Sequence, residues 1–316
     1  SLLLLIGFNS LLMAQQSTDP TFKHNIATEK KPWTHLNFHN NPDNFQFAIV
    51  TDNTGGMRKG VFESAVVKLN LMQPEFVMSV GDLIEGYTDD QQQIDKEWAE
   101  FNGWANMLEM PFFYLPGNHD ISNVTMQKDW EDRYGVRYYS FVYKDVLFIT
   151  MDTDDGDQPA WYQVSKEQEQ WVIDQLEAQP DVRWTFFFMH HPLWNKEVNA
   201  LTNIEAKLKA EGRHYTMFAG HQHRYMHNVR QGKDYYVLAT TGGGSSLRGP
   251  SFGEFDHVTW VTITDDGPKM ANLWLDGIID MDVYNPEVDA LAASLKEAAA
   301  LEHLVLTKPG TDNFTE

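Results

Sequence analysis

The chain has 316 residues, with 45 Asp and Glu against 24 Lys and Arg, no cysteine, and a formal net charge of −21. That charge excludes a nucleic-acid backbone as partner, which needs a basic face. The lack of cysteine excludes a disulfide framework and a thiolate metal site, so any metal has to be held by His, Asp, Glu or Asn.

Residues 2–14 are apolar apart from Asn9 and Ser10 and give way at once to Gln15-Gln16-Ser17-Thr18. The run is too short to span a bilayer. It reads as the hydrophobic region of a signal peptide whose basic start is missing, residues 1–16, rather than as a helix packed on the domain. The expectation is a secreted or periplasmic protein with no stable membrane span once the signal is removed. Residues 17–43 are polar, carry Pro20, Pro32 and Pro42, and read as a linker or arm. The main domain is expected over 44–280. A C-terminal helix and tail, 281–316, should follow, with an Ala-rich helix from Pro286 to Leu301.

Phe45 to Val50 is the first strand and ends in Thr51-Asp52-Asn53-Thr54-Gly55-Gly56. Phe62, Ala65, Val66 and Leu69 then recur at helical spacing. Phe76 to Val80 is a second buried strand, ending in Gly81-Asp82-Leu83-Ile84-Glu85-Gly86. Ile94, Trp98, Phe101, Ala105 and Leu108 mark one stripe of a longer helix. The apolar run from Met110 to Tyr114 reads as a buried strand leading into Leu115-Pro116-Gly117-Asn118-His119-Asp120. This alternation predicts an α/β sheet with crossover connections, in which ligands gather beyond the carboxyl ends of the strands.

Trp130 to Tyr134 closes a short helix, and 138–143 with 146–151 form a hairpin about Lys144-Asp145. Ser165, with Gln168 three residues on, should cap a helix to about Ala178. Arg183 to Met189 is a strand ending in His190-His191-Pro192-Leu193-Trp194. After a helix near 199–211, Tyr215 to Ala219 ends in Gly220-His221-Gln222-His223. Strands are expected at 235–240, 258–264 and 270–275 with no long helix between them, so this half reads as the more antiparallel sheet. The fold class is α/β, a two-sheet sandwich flanked by helices.

Five strand ends thus carry Asp52, Asp82, Asn118-His119, His190 with His191, and His221 with His223. Oxygen and imidazole groups converging from separate strands can hold two divalent ions. Such a pair, bridged by a carboxylate and a hydroxide, makes a nucleophile at neutral pH and clamps an in-line displacement at phosphorus.

The order Asp-x-x, Gly-Asp-x-x, Gly-Asn-His-Asp, His-x-Pro, Gly-His-x-His resembles the calcineurin-like metallophosphoesterase superfamily. That family includes protein Ser/Thr phosphatases, purple acid phosphatases and cyclic-nucleotide phosphodiesterases. The match runs from residue 45 to about 265, so 44–280 would be its catalytic domain. Each motif alone is weak; the five together are specific. The resemblance implies a four-layer α/β/β/α fold, two divalent or trivalent metal ions (Mn, Fe or Zn), and hydrolysis of phosphate mono- or diesters by a metal-bridging hydroxide. The substrate would be a small-molecule phosphate ester or a phosphoprotein. The resemblance further implies that Asp52 and His223 bind the first metal, Asp82 bridges, and Asn118, His190 and His221 bind the second. His119 would protonate the leaving oxygen or stabilise the phosphoryl group, and Asp120 would orient that imidazole.

Many members have Asp-x-His where this chain has Asp52-Asn53-Thr54, and a hydroxyl is a poorer ligand than imidazole. Purple acid phosphatases use a tyrosine three residues after the bridging aspartate, where this chain has Glu85. The Glu85 carboxylate, Thr54 or water could complete the first metal's shell. The departure keeps open a second reading, a catalytically weak metal- or phosphate-binding scaffold of the same fold. Taken singly, Asp52 and Asp82 could merely cap helices. His191, Trp194 and Arg248 are candidates for the substrate pocket, and Trp161, Trp171 and Trp260 for the core. Asp154-Asp155-Gly156-Asp157 reads as a solvated acidic loop rather than a calcium site. Gly242-Gly243-Gly244 reads as a tight turn beside the site, since neither the lysine nor the helix of a P-loop follows it.

Overall fold

The structure, a computed structural model, describes residues 22–278 apart from 24–26, 28, 31, 37 and 157–159, together with a few positions between 287 and 294. The expected signal segment, the first part of the arm, Asp157 and nearly all of the expected C-terminal helix lie outside the described residues. Among the described residues, no helix is long and apolar enough to cross a membrane. The chain divides into two compact units, 1–44 and 45–316. In the first, Phe22 meets Trp33 edge-on at 5.6 Å between ring centroids and Phe38 at 5.2 Å.

The second unit carries β1 (Phe45–Val50), α1 (Val61–Met72), β2 (Val77–Ser79), α2 (Gln91–Ala105), β3 (Phe112–Phe113) and α3 (Val124–Tyr134). There follow β4 (Tyr139–Tyr143), β5 (Val146–Met151), α4 (Lys166–Ala178), β6 (Trp184–Met189), α5 (Asn199–Ala210) and β7 (Tyr215–Ala219). The last strands are β8 (Met226–Arg230), β9 (Lys233–Val237), β10 (His257–Thr264) and β11 (Gly267–Trp274). One sheet has the order β11-β10-β1-β2-β3, the other β4-β5-β6-β7-β9-β8.

Side chains alternate across each strand, and both faces of the central strands are apolar, so both faces need cover. Phe45, Phe47 and Ile49 of β1 meet Phe148 of β5 and Phe186 and Phe188 of β6 in a core between the sheets. Ala48 and Val50 face the other way, onto Phe62, Ala65 and Leu69 of α1 and Trp98 and Phe101 of α2. Phe187 and Met189 face Val172 and Leu176 of α4 and Leu201, Ile204 and Leu208 of α5. Three cores between four layers give the α/β/β/α sandwich.

Three expectations are corrected. β3 is a half-buried two-residue edge strand, bracketed by Pro111 and Pro116, which have no amide to donate. The second half is not the antiparallel one: β5, β6, β7 and β9 run parallel. β10 and β11 instead return to the first sheet, antiparallel beside β1. β8 was not foreseen, because an edge strand of His227, Asn228 and Arg230 shows no apolar face.

The helix caps are Asp90 for α2, Asn123 for α3 and Ser165 for α4, while Gly60 precedes α1. Asp52 and Asp82 cap nothing. They sit past the ends of β1 and β2, on the same rim as the ends of β3, β6 and β7.

Candidate metal centre

Seven polar side chains from these five strand ends meet at that rim. Asp82, His190 and His221 bring ligand atoms within 4.8 Å of one another, and so do Asp52, Asp82 and His223. The two groups share Asp82. Asp52, Asp82 and His190 are each at most 1% exposed.

The imidazoles are aimed by main-chain carbonyls. His190 Nδ1 donates to Val80 O at 2.9 Å, His119 Nδ1 to Glu85 O at 2.6 Å, and His223 Nδ1 to Gly244 O at 2.5 Å. A carbonyl can only accept, so each ring holds its proton on Nδ1 and turns Nε2 to the centre. His190 Nε2 then confronts Asp82 Oδ2 at 3.2 Å and Asn118 Oδ1 at 3.0 Å. A lone pair facing two buried acceptors is satisfied only by a proton or a cation between them. The donor set of carboxylates, imidazoles and one amide oxygen fits divalent transition metals.

Electrostatics point the same way. Burial alone would lower the pKa of His190, but Asp82, with Asp52 and Asp154, raises it to about 10. Burial and the charges of His190 and His191 push His221 down to about 3, the neutral form a metal needs. Burial acts against His223 as well, but the Asp52 carboxylate 3.3 Å from its Nε2 raises it.

The backbone is bent to present these groups. Asp82, His221 and His223 have φ of 56°, 70° and 50°. Left-handed non-glycine residues cost of order 1–3 kcal/mol each and collect where function demands them. Asp82 Oδ1 accepts the His119 amide at 3.0 Å, and Asp52 Oδ1 accepts the His221 amide at 2.9 Å. Close approach explains two glycines: a Cβ on Gly117 would collide with Asp82 Oδ1, and one on Gly220 with Asp52 Oδ2.

Two of the residues named above take other roles. Asp120 does not touch the His119 ring. Fully buried, it accepts the amides of Gly117, Leu83 and Ile84 at 2.7, 2.9 and 3.1 Å and so ties the Asp82 loop to the Asn118 loop. Glu85 Oε1 accepts the amides of Gly56 and Met57 at 3.1 and 2.7 Å and belongs to neither ligand group. Burial would raise the Glu85 pKa, but these amides and the Thr54 hydroxyl lower it. Thr54 itself is buried.

The pocket candidates separate. His191 is buried beside the centre, its ring 4.1 Å from that of His221, with Nδ1 3.0 Å from Asp154 Oδ2. Trp194 is a core residue, edge-on to Tyr235. Arg248 is paired with Glu254 through Nε at 2.7 Å. The Gly242–Gly244 loop does lie beside the site, with the amides of Thr241 and Gly243 on Asp52 O.

Sequence reasoning missed four features. Arg58 reaches both oxygens of Asp256 at 2.6 Å and the carbonyl of Gly243, stapling the first loop to the glycine loop. Asp152, Asp154 and Asp155 are buried rather than solvated, with Arg137 Nη1 3.1 Å from Asp152 Oδ2. Trp161 is not core but 58% exposed at the mouth of the centre. Tyr87 stands against His119. Gln168, whose amide holds Asp152 O and Asp155 Oδ2, reads from the sequence as a cap residue alone.

A family model described as calcineurin-like phosphoesterase matches residues 39–225. A probable glycerophosphodiester phosphodiesterase of Arcobacter nitrofigilis is 26% identical over 125 residues, 38% of this chain and 42% of that protein, so the chain spans less than half of that relative. A dimetal phosphatase of Danio rerio superposes with a TM-score of 0.56 at 13% identity, covering 73% of this chain and 96% of the other. GAP50, the anchor in the inner membrane complex of Plasmodium, gives 0.56 at 12% identity, covering 75% and 87%. These two structures share the fold.

Proposed function

The chain belongs to the calcineurin-like phosphoesterase family, and we propose that it hydrolyses small phosphate mono- or diesters at a binuclear metal centre. The observation that carries this reading is that Asp82 belongs to both ligand groups. One carboxylate shared between two ligand sets is the arrangement that bridges two ions. Asp52 and His223 would hold the first ion, and Asn118, His190 and His221 the second. Manganese, iron and zinc all suit such donors. Ions bound there would activate water at neutral pH and neutralise charge on the phosphoryl oxygens.

The protein's own part falls to His119. With Nδ1–H held by Glu85 O and its amide by Asp82, it turns Nε2 inward, where the imidazolium form, protonated on both nitrogens, would give the Nε2 proton to the departing alcohol and be left as the neutral ring. Gly55 lets the His223 ring come close, since a Cβ there would stand 2.8 Å from His223 Cε1 and 3.5 Å from His119 Nε2. The name of the Arcobacter relative supports including diesters. Export to the periplasm or beyond is part of the same reading, on the strength of the apolar residues 2–14.

Elemental analysis of protein purified without chelator, with turnover of p-nitrophenyl phosphate and its bis-ester, tests this. The expected result is about two ions per chain and turnover that a chelator abolishes. Protein that takes up no metal on reconstitution and cleaves neither ester would put the scaffold reading ahead. Thr54, standing where an imidazole is usual, is the observation in that reading's favour.

A further inference from the structure

Three aromatic side chains stand at the mouth of the centre and belong to neither ligand group. The Trp161 ring lies edge-on to His221 at 5.2 Å and tilted over His191 at 5.6 Å. Tyr162 lies 4.6 Å from His191. Tyr87 stands edge-on to His119 at 4.8 Å, and its hydroxyl accepts from Asn118 Nδ2 at 2.9 Å. Together they form one wall along the second ligand set. Yet Trp161 and Tyr87 are 58% and 52% exposed. So large an apolar area, joined to a polar centre and left in water, marks a binding surface.

The other flank differs. Gln222, Arg224, Ser245, Ser246 and Glu254 line a polar cleft of about 360 Å³ beside His223. An apolar group would choose the wall. Among groups that favour aromatic faces, a quaternary ammonium is disfavoured, because the Lys196 ammonium already sits 5.6 Å from the Tyr162 ring centroid. A neutral planar ring remains. It must lie close to phosphorus, since Trp161 and Tyr87 touch the ligand residues themselves, and a base held off by a ribose would overshoot them.

We propose that the wall of Tyr87, Trp161 and Tyr162 is the subsite for the organic group of the ester, and that it selects an aryl group bonded at or next to phosphorus. The proposal rests on the reading of the centre as a phosphate-ester site.

Binding, rather than turnover, separates the two. Calorimetric titration of the metal-loaded full chain would use phenylphosphonate, methylphosphonate and adenosine 5′-monophosphate. The wild type should bind phenylphosphonate roughly 5- to 150-fold tighter than methylphosphonate, the range that loss of one stacking partner spans. Trp161→Ala should bring that ratio near one, and Trp161→Phe should keep most of it. The indole is more than half exposed, so its loss leaves the core intact. Equal affinity for the two phosphonates in the wild type, or a preference that survives Trp161→Ala, overturns the subsite alone. Adenosine 5′-monophosphate binding as tightly as phenylphosphonate overturns the aryl assignment. Failure of both phosphonates to bind overturns the function and the subsite together.

Discussion

Around the position proposed for the second ion, Asn118, His190 and His221 arrive from three strand ends, with His190 fully buried and its ring held by Val80 O. Around the position proposed for the first, Asp52 and His223 stand beside the loop 54–57, where Gly55, lacking a Cβ, lets the His223 ring come close and Thr54 is buried. The sheets position one half directly. The other half depends on a loop that Glu85 and Arg58 hold in place. A fuller ligand set binds tightly, whereas a set with vacant positions admits water and substrate. On the binuclear reading proposed above, the difference teaches that one half would retain its ion and the other would work with substrate.

Asp82→Asn is the most severe way to break the comparison, because it removes the charge both halves share. Asparagine tolerates a φ of 56°, so the fold is retained. Turnover should fall by about 10³-fold or more, with metal content falling well below the wild-type value. A variant that keeps two ions and full turnover would sink the shared-carboxylate reading.

Stepwise chelation sharpens it. With one imidazole fewer, the first ion should leave at a chelator strength at least about tenfold lower than the second. Thr54→His should narrow that gap by adding the missing donor. Simultaneous loss of both ions from the wild type would show the halves to be equal. Glu85→Ala acts on the loop alone. It should leave the ion count unchanged, lower kcat/KM roughly tenfold as amides 56 and 57 lose their acceptor, and cost about 1 kcal/mol of stability. Loss of one ion per chain in this variant would make Glu85 a ligand.

The same division shows in what the sequence made legible. Residues at strand ends were readable because the strands are apolar runs and the ligand types follow them at once: Asp52, Asp82, Asn118, His190, His221. The alternation of strand and helix was readable for the same reason, since β1 and β6 are apolar runs, whereas the four layers came from the family resemblance. What the loops do was not. Glu85 and Asp120 lie beside ligands in sequence, but their partners are backbone amides, and an amide has no side-chain signature. Asp154 sits in a run of acids that looks solvated, and only the fold reveals His191 against it and Arg137 against its neighbours Asp152 and Asp155. Trp161 has the composition of a core residue, and its exposure is a property of its place at the rim.

The smallest effect concerns the protein stripped of metal, and it bears on the tighter half. There His190 is raised to about 10, burial notwithstanding, by Asp82, Asp52 and Asp154. In the unfolded chain an imidazole titrates near about 6.5. A proton held more tightly when folded contributes its full stability below the unfolded value, and that stability is lost as pH rises from there through the folded value. The melting temperature of the metal-free protein should therefore fall by a few degrees between pH 6.5 and about 10. Metal-loaded protein should show no such fall from this group, because the ion takes the place of the proton between His190, Asp82 and Asn118. Metal binding near pH 8 should then release about one proton from His190, readable as a difference in binding heat between buffers of unlike ionisation enthalpy. A melting temperature flat across that range, with no proton released, would mean that the ring stays neutral between two acceptors. The fit of a cation at this half would then need another warrant.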